Sequence, residues 1–205
     1  MYPATELHHF PPDLFVWQNY DPIIKTDLFS TAITTPAGVY LVDPIPLAED
    51  EVARLSEVKK IAGVIVTNAN HHRAAIDYSV KFSVPLFAEG GSFPDKKPWR
   101  SVELADGATI GGGLEVIVIN GAVLGEIVLY HPLKGGTLVV GDALINFEPY
   151  GFAFLPGKYC ANEKEMRRSL RKLLAYKIER LFFAHGTPIL SGASARLEQL
   201  VGFGL

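Results

Sequence analysis

Short apolar runs rich in β-branched and aromatic residues recur along the chain, broken by Gly, Pro, Asn and Asp, and predict many strands with few helices. Leu14 to Tyr20 reads as a first strand. Leu28 to Thr34 and Val39 to Val42 flank Pro36-Ala37-Gly38, which predicts a hairpin that Asp43-Pro44 then stops. Leu47 to Lys60 places Leu47, Val52, Leu55 and Val58 among charges, the spacing of a surface helix. Ile61 to Thr67 is a buried strand, Ala74 to Phe82 a helix, and Val84 to Phe87 another buried strand before the Gly90 to Pro98 loop. Ser101 to Leu104, Ala108 to Ile110 and Leu114 to Ile119 read as antiparallel strands joined at Asp106-Gly107 and Gly111-Gly112-Gly113. Ile127 to Tyr130 and Thr137 to Val140 form a hairpin around Lys134-Gly135-Gly136. Asn162 is placed to cap a helix running to about Tyr176. Leu181 to Phe183 is a strand ending at Ala184-His185-Gly186, and Ser194 to Leu200 a final helix. Each half thus supplies strands and strand–helix units. Two sheets packed face to face with helices outside would cover all the apolar faces.

Composition narrows the class. The 205 residues are 48% hydrophobic and 20% charged, which suits one globular domain spanning 1–205 rather than a disordered chain. Nineteen basic against 22 acidic residues leave a net charge of −3, which removes the electrostatic reason to expect a nucleic-acid partner. Cys160 is the single cysteine, so an internal disulfide and a cysteine metal cluster are excluded. No apolar stretch approaches the ~20 residues of a membrane span, and Met1 to Pro12 has no signal-peptide pattern. The expected setting is the cytoplasm, with a small molecule as partner and no membrane.

Three polar islands directly follow apolar strands: Asn68 to Arg73, Gly141-Asp142, and His185-Gly186. Strand ends are where a rigid scaffold presents reactive groups. There is no phosphate-binding Gly-rich loop and no Gly-x-Ser-x-Gly nucleophile elbow. Cys160, in the Gly/Pro-rich stretch after Pro156-Gly157-Lys158-Tyr159, has no fixed partner in the sequence to make it a nucleophile.

Taken in order, these pieces resemble the metallo-β-lactamase superfamily over roughly Leu28 to Leu190. Thr35-Pro36-Ala37-Gly38-Val39-Tyr40-Leu41-Val42-Asp43-Pro44 is similar to the family's hairpin ending in an Asp, and Val64-Ile65-Val66-Thr67 to the strand before its metal motif. Leu104-Ala105-Asp106-Gly107 through Gly113-Leu114-Glu115-Val116-Ile117 resembles its middle hairpin. Gly125-Glu126-Ile127-Val128-Leu129-Tyr130 and Val139-Val140-Gly141-Asp142-Ala143-Leu144 resemble the strand pair bearing its bridging Asp, and Ala184-His185-Gly186 its closing histidine motif. The resemblance implies an α/β fold, a four-layer αββα sandwich. It also implies a hydrolase acting on an ester, thioester, amide or phosphoester, with zinc or another divalent metal activating water.

The family motif Thr-His-x-His-x-Asp-His falls on Thr67-Asn68-Ala69-Asn70-His71-His72-Arg73, and a later family histidine falls on Ala122. Only Asp142 and His185 match the usual ligands. Carboxamides are poor zinc ligands beside imidazole, and Arg73 cannot lose its proton. Unit charges ~4 Å apart at an effective dielectric of ~20 interact by about 4 kcal/mol, and a divalent ion doubles that repulsion. A two-ion site is therefore not expected. The sequence favours a metal-free or weakly metal-binding homologue that takes a small ligand or partner in the old cleft. Asn68 and Asn70 would then supply amide hydrogen bonds, and Arg73 would pair bidentately with Asp142 or meet an anionic ligand. The alternative is a one-ion hydrolase in which Asp142, His185 and His72 hold the metal and carry catalysis. His71 reads as a packed or solvent-bound residue, and His8, His9 and His131 as incidental.

Overall fold

The protein is described by a computed structural model covering residues 2–202, so that Met1 and residues 203–205, the ends of the expected 1–205 domain, lie outside the described residues. Among the described residues, fourteen strands and four α-helices follow in order: β1 (His8–Phe10), β2 (Leu14–Asp21), β3 (Thr26–Thr35), β4 (Gly38–Val42), α1 (Glu49–Val58), β5 (Ile61–Val66), α2 (Ala75–Phe82), β6 (Leu86–Glu89), β7 (Ser101–Leu104), β8 (Thr109–Ile110), β9 (Leu114–Val118), β10 (Ile127–His131), β11 (Thr137–Val140), β12 (Leu144–Phe147), β13 (Gly151–Phe154), α3 (Glu163–Leu170), β14 (Arg180–Phe183) and α4 (Ala193–Leu197). The first sheet runs in chain order from β1 to β7; the second has the order β14-β11-β10-β9-β8; β12 and β13 form a separate hairpin.

Alternation of side chains along the strands produces the layers. On β4, Leu41 faces α1 and α2 while Tyr40 and Val42 face the other sheet; on β5, Val64 and Val66 point outward and Ile65 inward. On β11, Leu138 and Val140 meet α3 and α4 while Val139 joins the core between the sheets. Three apolar cores between four layers result, and each fully buried Leu or Ile among them contributes about 1.5–3 kcal/mol. The layers are the αββα sandwich expected from the sequence.

The helices follow from their apolar spacing. α1 buries Val52 and Leu55 and opens with Glu49, Asp50 and Glu51, acids that suit the positive end of its dipole. α3 is capped as predicted: the Asn162 side chain accepts from Glu165 N, and Met166 and Leu170 are buried. It ends at Leu170 and tightens into a 3-10 turn, Arg171–Ala175, instead of continuing as α-helix to Tyr176. Trp17 is fully buried and its indole N–H is satisfied by Ile45 O at 3.0 Å.

Two elements depart from the sequence reading. Ser101 to Leu104 runs parallel to β6 on the edge of the first sheet, not antiparallel to the strands after it. The Gly90 to Arg100 stretch is a crossover, which parallel pairing requires. The sheet boundary therefore falls at Ala105-Asp106-Gly107. The second departure is a hairpin absent from the sequence reading, formed by Leu144–Phe147 and Gly151–Phe154.

At the end of β14 where the strand begins, a buried polar network ties the sheets together. Arg180 Nε donates to Thr137 Oγ1 at 2.9 Å, and Nη2 donates to Asp13 Oδ1 at 3.0 Å. Asp13 O in turn accepts from Thr34 N at 2.8 Å. His131 Nδ1 stands 3.5 Å from Asp13 Oδ2, so this histidine is a packed member of the network rather than an incidental turn residue. Among the described residues, no helix is long and apolar enough to cross a membrane.

Candidate metal centre

The opposite strand ends converge. Asp43 follows β4, Thr67 follows β5, Asp142 follows β11 and His185 follows β14, so each sheet sends two strand ends to one place. β4 pairs in parallel with β5, and β11 with β14, which puts their carboxyl ends side by side. Asp43 and Arg73 hold positive φ values of 48° and 39°, local strain kept by the surrounding bonds. Gly141 is needed before Asp142 because a Cβ there would meet Thr67 Oγ1 at 2.6 Å and Glu126 Oε1 at 2.8 Å.

Asp43 is the foundation. Its Oδ1 accepts from Thr67 N at 2.8 Å, and its Oδ2 accepts from Thr67 Oγ1 at 2.5 Å. The same Oδ2 stands 2.9 Å from His71 Nδ1. A neutral His71 ring that donates through Nδ1 presents the lone pair of Nε2 to the cleft. That Nε2 is buried and has no hydrogen-bond partner, although Asp142 Oδ1 is 3.2 Å away. His185 Nε2 lies 3.3 Å from the same oxygen. One ligand atom from each of His71, Asp142 and His185 lies within 4.8 Å of the others.

Charge explains how this cluster stands as described. Burial opposes a charged His71, yet the Asp142 and Asp43 carboxylates outweigh it and raise its pKa to about 9, so without an ion the ring carries a proton on each nitrogen, and a bound cation would displace the one on Nε2. Burial likewise opposes the Asp142 carboxylate, but His71 and His185 hold it well below the usual range. Behind them sits Glu126, fully buried, whose pKa burial and the Asp142 charge push up to about 8.

Of the residues expected from the sequence, Asp142 and His185 come together and His72 does not join them. His72 Nε2 is bonded to Ser92 O at 2.5 Å, and its ring stacks on Phe93 with centroids 4.1 Å apart. Its place is taken by His71, the neighbour read as packed or solvent-bound. The two adjacent side chains diverge, and the turn Asn68–His71, closed by His71 N on Asn68 O at 3.1 Å, sends His71 inward. The bidentate Arg73–Asp142 pair is also absent: Arg73 Nη1 donates to Phe29 O at 2.6 Å and to Asp43 O at 2.9 Å. Its charge therefore props the Asp43 turn, while Nη2 stays buried without a partner. Asn68 is fully buried and bonded within the protein, so it has no amide to offer a ligand; Asn70 is exposed, and its Nδ2 reaches Asp142 Oδ2 at 3.3 Å.

Cys160 is no nucleophile candidate here, because its thiol sits against Leu155 O, Pro156 O and Met166 Sδ and burial raises its pKa. The sequence reading missed Glu126 too. A carboxylate beside the apolar Ile127-Val128-Leu129 run was the available signal of a buried acid.

The three candidate ligands lie at the floor of a cleft of about 1040 Å³. Ile24 and Leu28, from the β2–β3 hairpin, form one wall, and Phe147, Tyr150, Leu155 and Tyr159 form the other.

The chain belongs to the metallo-beta-lactamase superfamily, whose sequence profile matches residues 6–203. Its fold is that of the solved metallo-beta-lactamases. DIM-1 metallo-beta-lactamase superposes with a TM-score of 0.76 at 16% identity, covering 98% of both chains. A metallo-beta-lactamase from Pontibacter korlensis gives 0.73 at 15% identity over 97% of this chain and 99% of that one. TTHA1623 in a di-iron-bound form gives 0.65 at 21% identity over 88% and 97%. No curated protein matches the sequence.

Proposed function

We propose that the protein is a hydrolase of the metallo-beta-lactamase type that works with one divalent ion, held by His71, Asp142 and His185. The observation that carries this reading is the convergence of two buried or largely buried imidazoles on one carboxylate oxygen, with His71 Nε2 and His185 Nε2 standing 3.2 and 3.3 Å from Asp142 Oδ1. The separations of 3.2 and 3.3 Å match the edge of a tetrahedron whose metal–ligand bonds are about 2.0–2.1 Å. Two imidazoles and a carboxylate are the donor set of many catalytic zinc sites, which keep a further position open. The contact from His71 Nδ1 to Asp43 is the outer support that metal-bound histidines usually have.

A bound ion would supply Lewis acidity and activate water for attack on an ester, thioester, amide or phosphoester. The chain's own groups do the rest. Asp43 sets the His71 tautomer. Asn68 and Asn70 occupy Asp142 Oδ2 and leave Oδ1 toward the imidazoles. The apolar walls shield the floor from bulk water, which strengthens every charge interaction there.

One feature favours a second reading, a metal-free chain that binds a small anionic ligand: Arg73 Nη2 is buried and unpartnered beside the cleft. Metal analysis of the purified protein separates the two. About one zinc, iron or manganese per chain, removed by chelator with loss of esterase or phosphoesterase turnover, supports the hydrolase. No bound metal, no uptake on reconstitution and no chelator effect exclude it and leave the anion binder.

A further inference from the structure

We propose that Glu126 is a positioning residue that acts through the Asn68 side chain to turn the Asp142 carboxylate, so that Oδ1 faces both imidazoles. The inference rests on the one-ion reading above.

Glu126 is 1% exposed, and both of its oxygens are used. Oε1 accepts from Ala143 N at 2.9 Å, and Oε2 accepts from Asn68 Nδ2 at 2.7 Å. Ala143 directly follows Asp142, so one carboxylate grips the main chain of the Asp142 turn and also the amide that touches the Asp142 side chain. Asn68 Nδ2 also donates to Asp142 Oδ2 at 3.3 Å, while Asn68 Oδ1 accepts from Asn70 N at 2.9 Å. That pattern admits a single amide orientation. A flipped Asn68 would set its oxygen against the Asp142 carboxylate and its NH2 against the Asn70 N–H. Asn70 Nδ2 adds a second donor to Oδ2 at 3.3 Å. With Oδ2 engaged by two amides, Oδ1 is the oxygen left for His71 and His185.

A buried carboxylate is costly to keep unless its hydrogen bonds are satisfied. The bonds that satisfy Glu126 run to the Asp142 turn and to the amide beside it. Glu126→Gln tests the relay closely, because the new NH2 confronts either Asn68 Nδ2 or Ala143 N, and no flip of Asn68 restores the chain of bonds. Asn68→Ala breaks the relay at its middle and leaves the Glu126–Ala143 bond in place.

The experiment titrates metal-depleted wild type, Glu126→Gln and Asn68→Ala with Co²⁺, following visible absorption and competition with a chelator. Wild type is expected to take up one Co²⁺, and both variants to bind 10–100-fold more weakly with an altered cobalt spectrum. Circular dichroism and urea midpoints establish that the variants are folded, and Asn68→Ala alone decides the question if Glu126→Gln does not fold. A purely structural role would lower the urea midpoint and leave the spectrum unmoved. Folded variants with wild-type affinity and spectrum overturn the inference while the one-ion reading stands. Failure of the wild type itself to bind Co²⁺ overturns that reading and this inference with it.

Discussion

His71 Nδ1 and Asp43 Oδ2 are 2.9 Å apart, a contact between the turn after β5 and the end of β4 that decides which ring nitrogen looks into the cleft. Asp43→Asn removes the charge and one acceptor, since its new NH2 must face either Thr67 or His71. Metal affinity is expected to fall 10–100-fold. Calorimetric Zn²⁺ titration of both proteins checks this, and an unchanged Kd contradicts the support role of Asp43.

The two neighbouring histidines separate by function. His71→Ala removes one of three ligands and should abolish stoichiometric metal uptake. His72→Ala should retain full uptake and lose about 1 kcal/mol of stability, the worth of an ordinary hydrogen bond. Metal content after dialysis, measured on both variants, is decisive: loss in the His72 variant with retention in the His71 variant would reverse the assignment.

Arg73 holds two main-chain carbonyls, Phe29 O and Asp43 O. Arg73→Ala should destabilise the protein by about 1–3 kcal/mol, because the buried Phe29 O loses its donor while Asp43 O keeps only Ser30 Oγ. Urea unfolding measures it. A change inside the ~0.5 kcal/mol scatter of surface substitutions would mean that the guanidinium does not support this turn.

Asp13 and Arg180 form a buried ion pair at 3.0 Å. Asp13→Ala leaves the guanidinium buried and unpaired, at an expected loss of about 3–5 kcal/mol. The double variant Asp13→Ala/Arg180→Met should be more stable than Asp13→Ala alone, because the stranded charge is gone. The opposite order in chemical denaturation would refute the pairing argument.

His131 gives a pH dependence. Burial is the main cause of its lowered pKa, and it outweighs the Asp13 carboxylate. The unfolded chain takes up this proton near the ordinary value of about 6.5, and the folded chain only at lower pH. The contribution is therefore complete above about pH 6.5 and shrinks as the pH falls toward the folded pKa, by at most about 1.4 kcal/mol per pH unit. Unfolding curves at several pH values between about 7.5 and 5, run beside His131→Asn, should show the variant losing less stability on acidification. Parallel curves would exclude His131 as the source.

The layers were legible because their cause is local. Alternation on β4, β5 and β11 is written in the residues, as are the Asn162 cap and the hairpin turns. Sheet membership was not, because the pairing of Ser101–Leu104 depends on where the Gly90 to Arg100 crossover lands. The site was half legible. Asp142 and His185 stand at strand ends that motif order alone locates. The third group was misread because aligned spacing carries no information on how a turn aims two adjacent side chains: the Asn68–His71 turn sends His71 in and leaves His72 against Phe93. The Arg73 pairing failed for a related reason, since charge complementarity named Asp142 while two main-chain carbonyls were nearer to hand.

The four strand ends at the cleft floor come from both sheets, with Asp43 and His71 carried by one and Asp142 and His185 by the other. Neither half of the sandwich owns a complete site. Whatever is gripped there clamps the halves across their shared seam, so its release and the parting of the halves become one thermodynamically linked event.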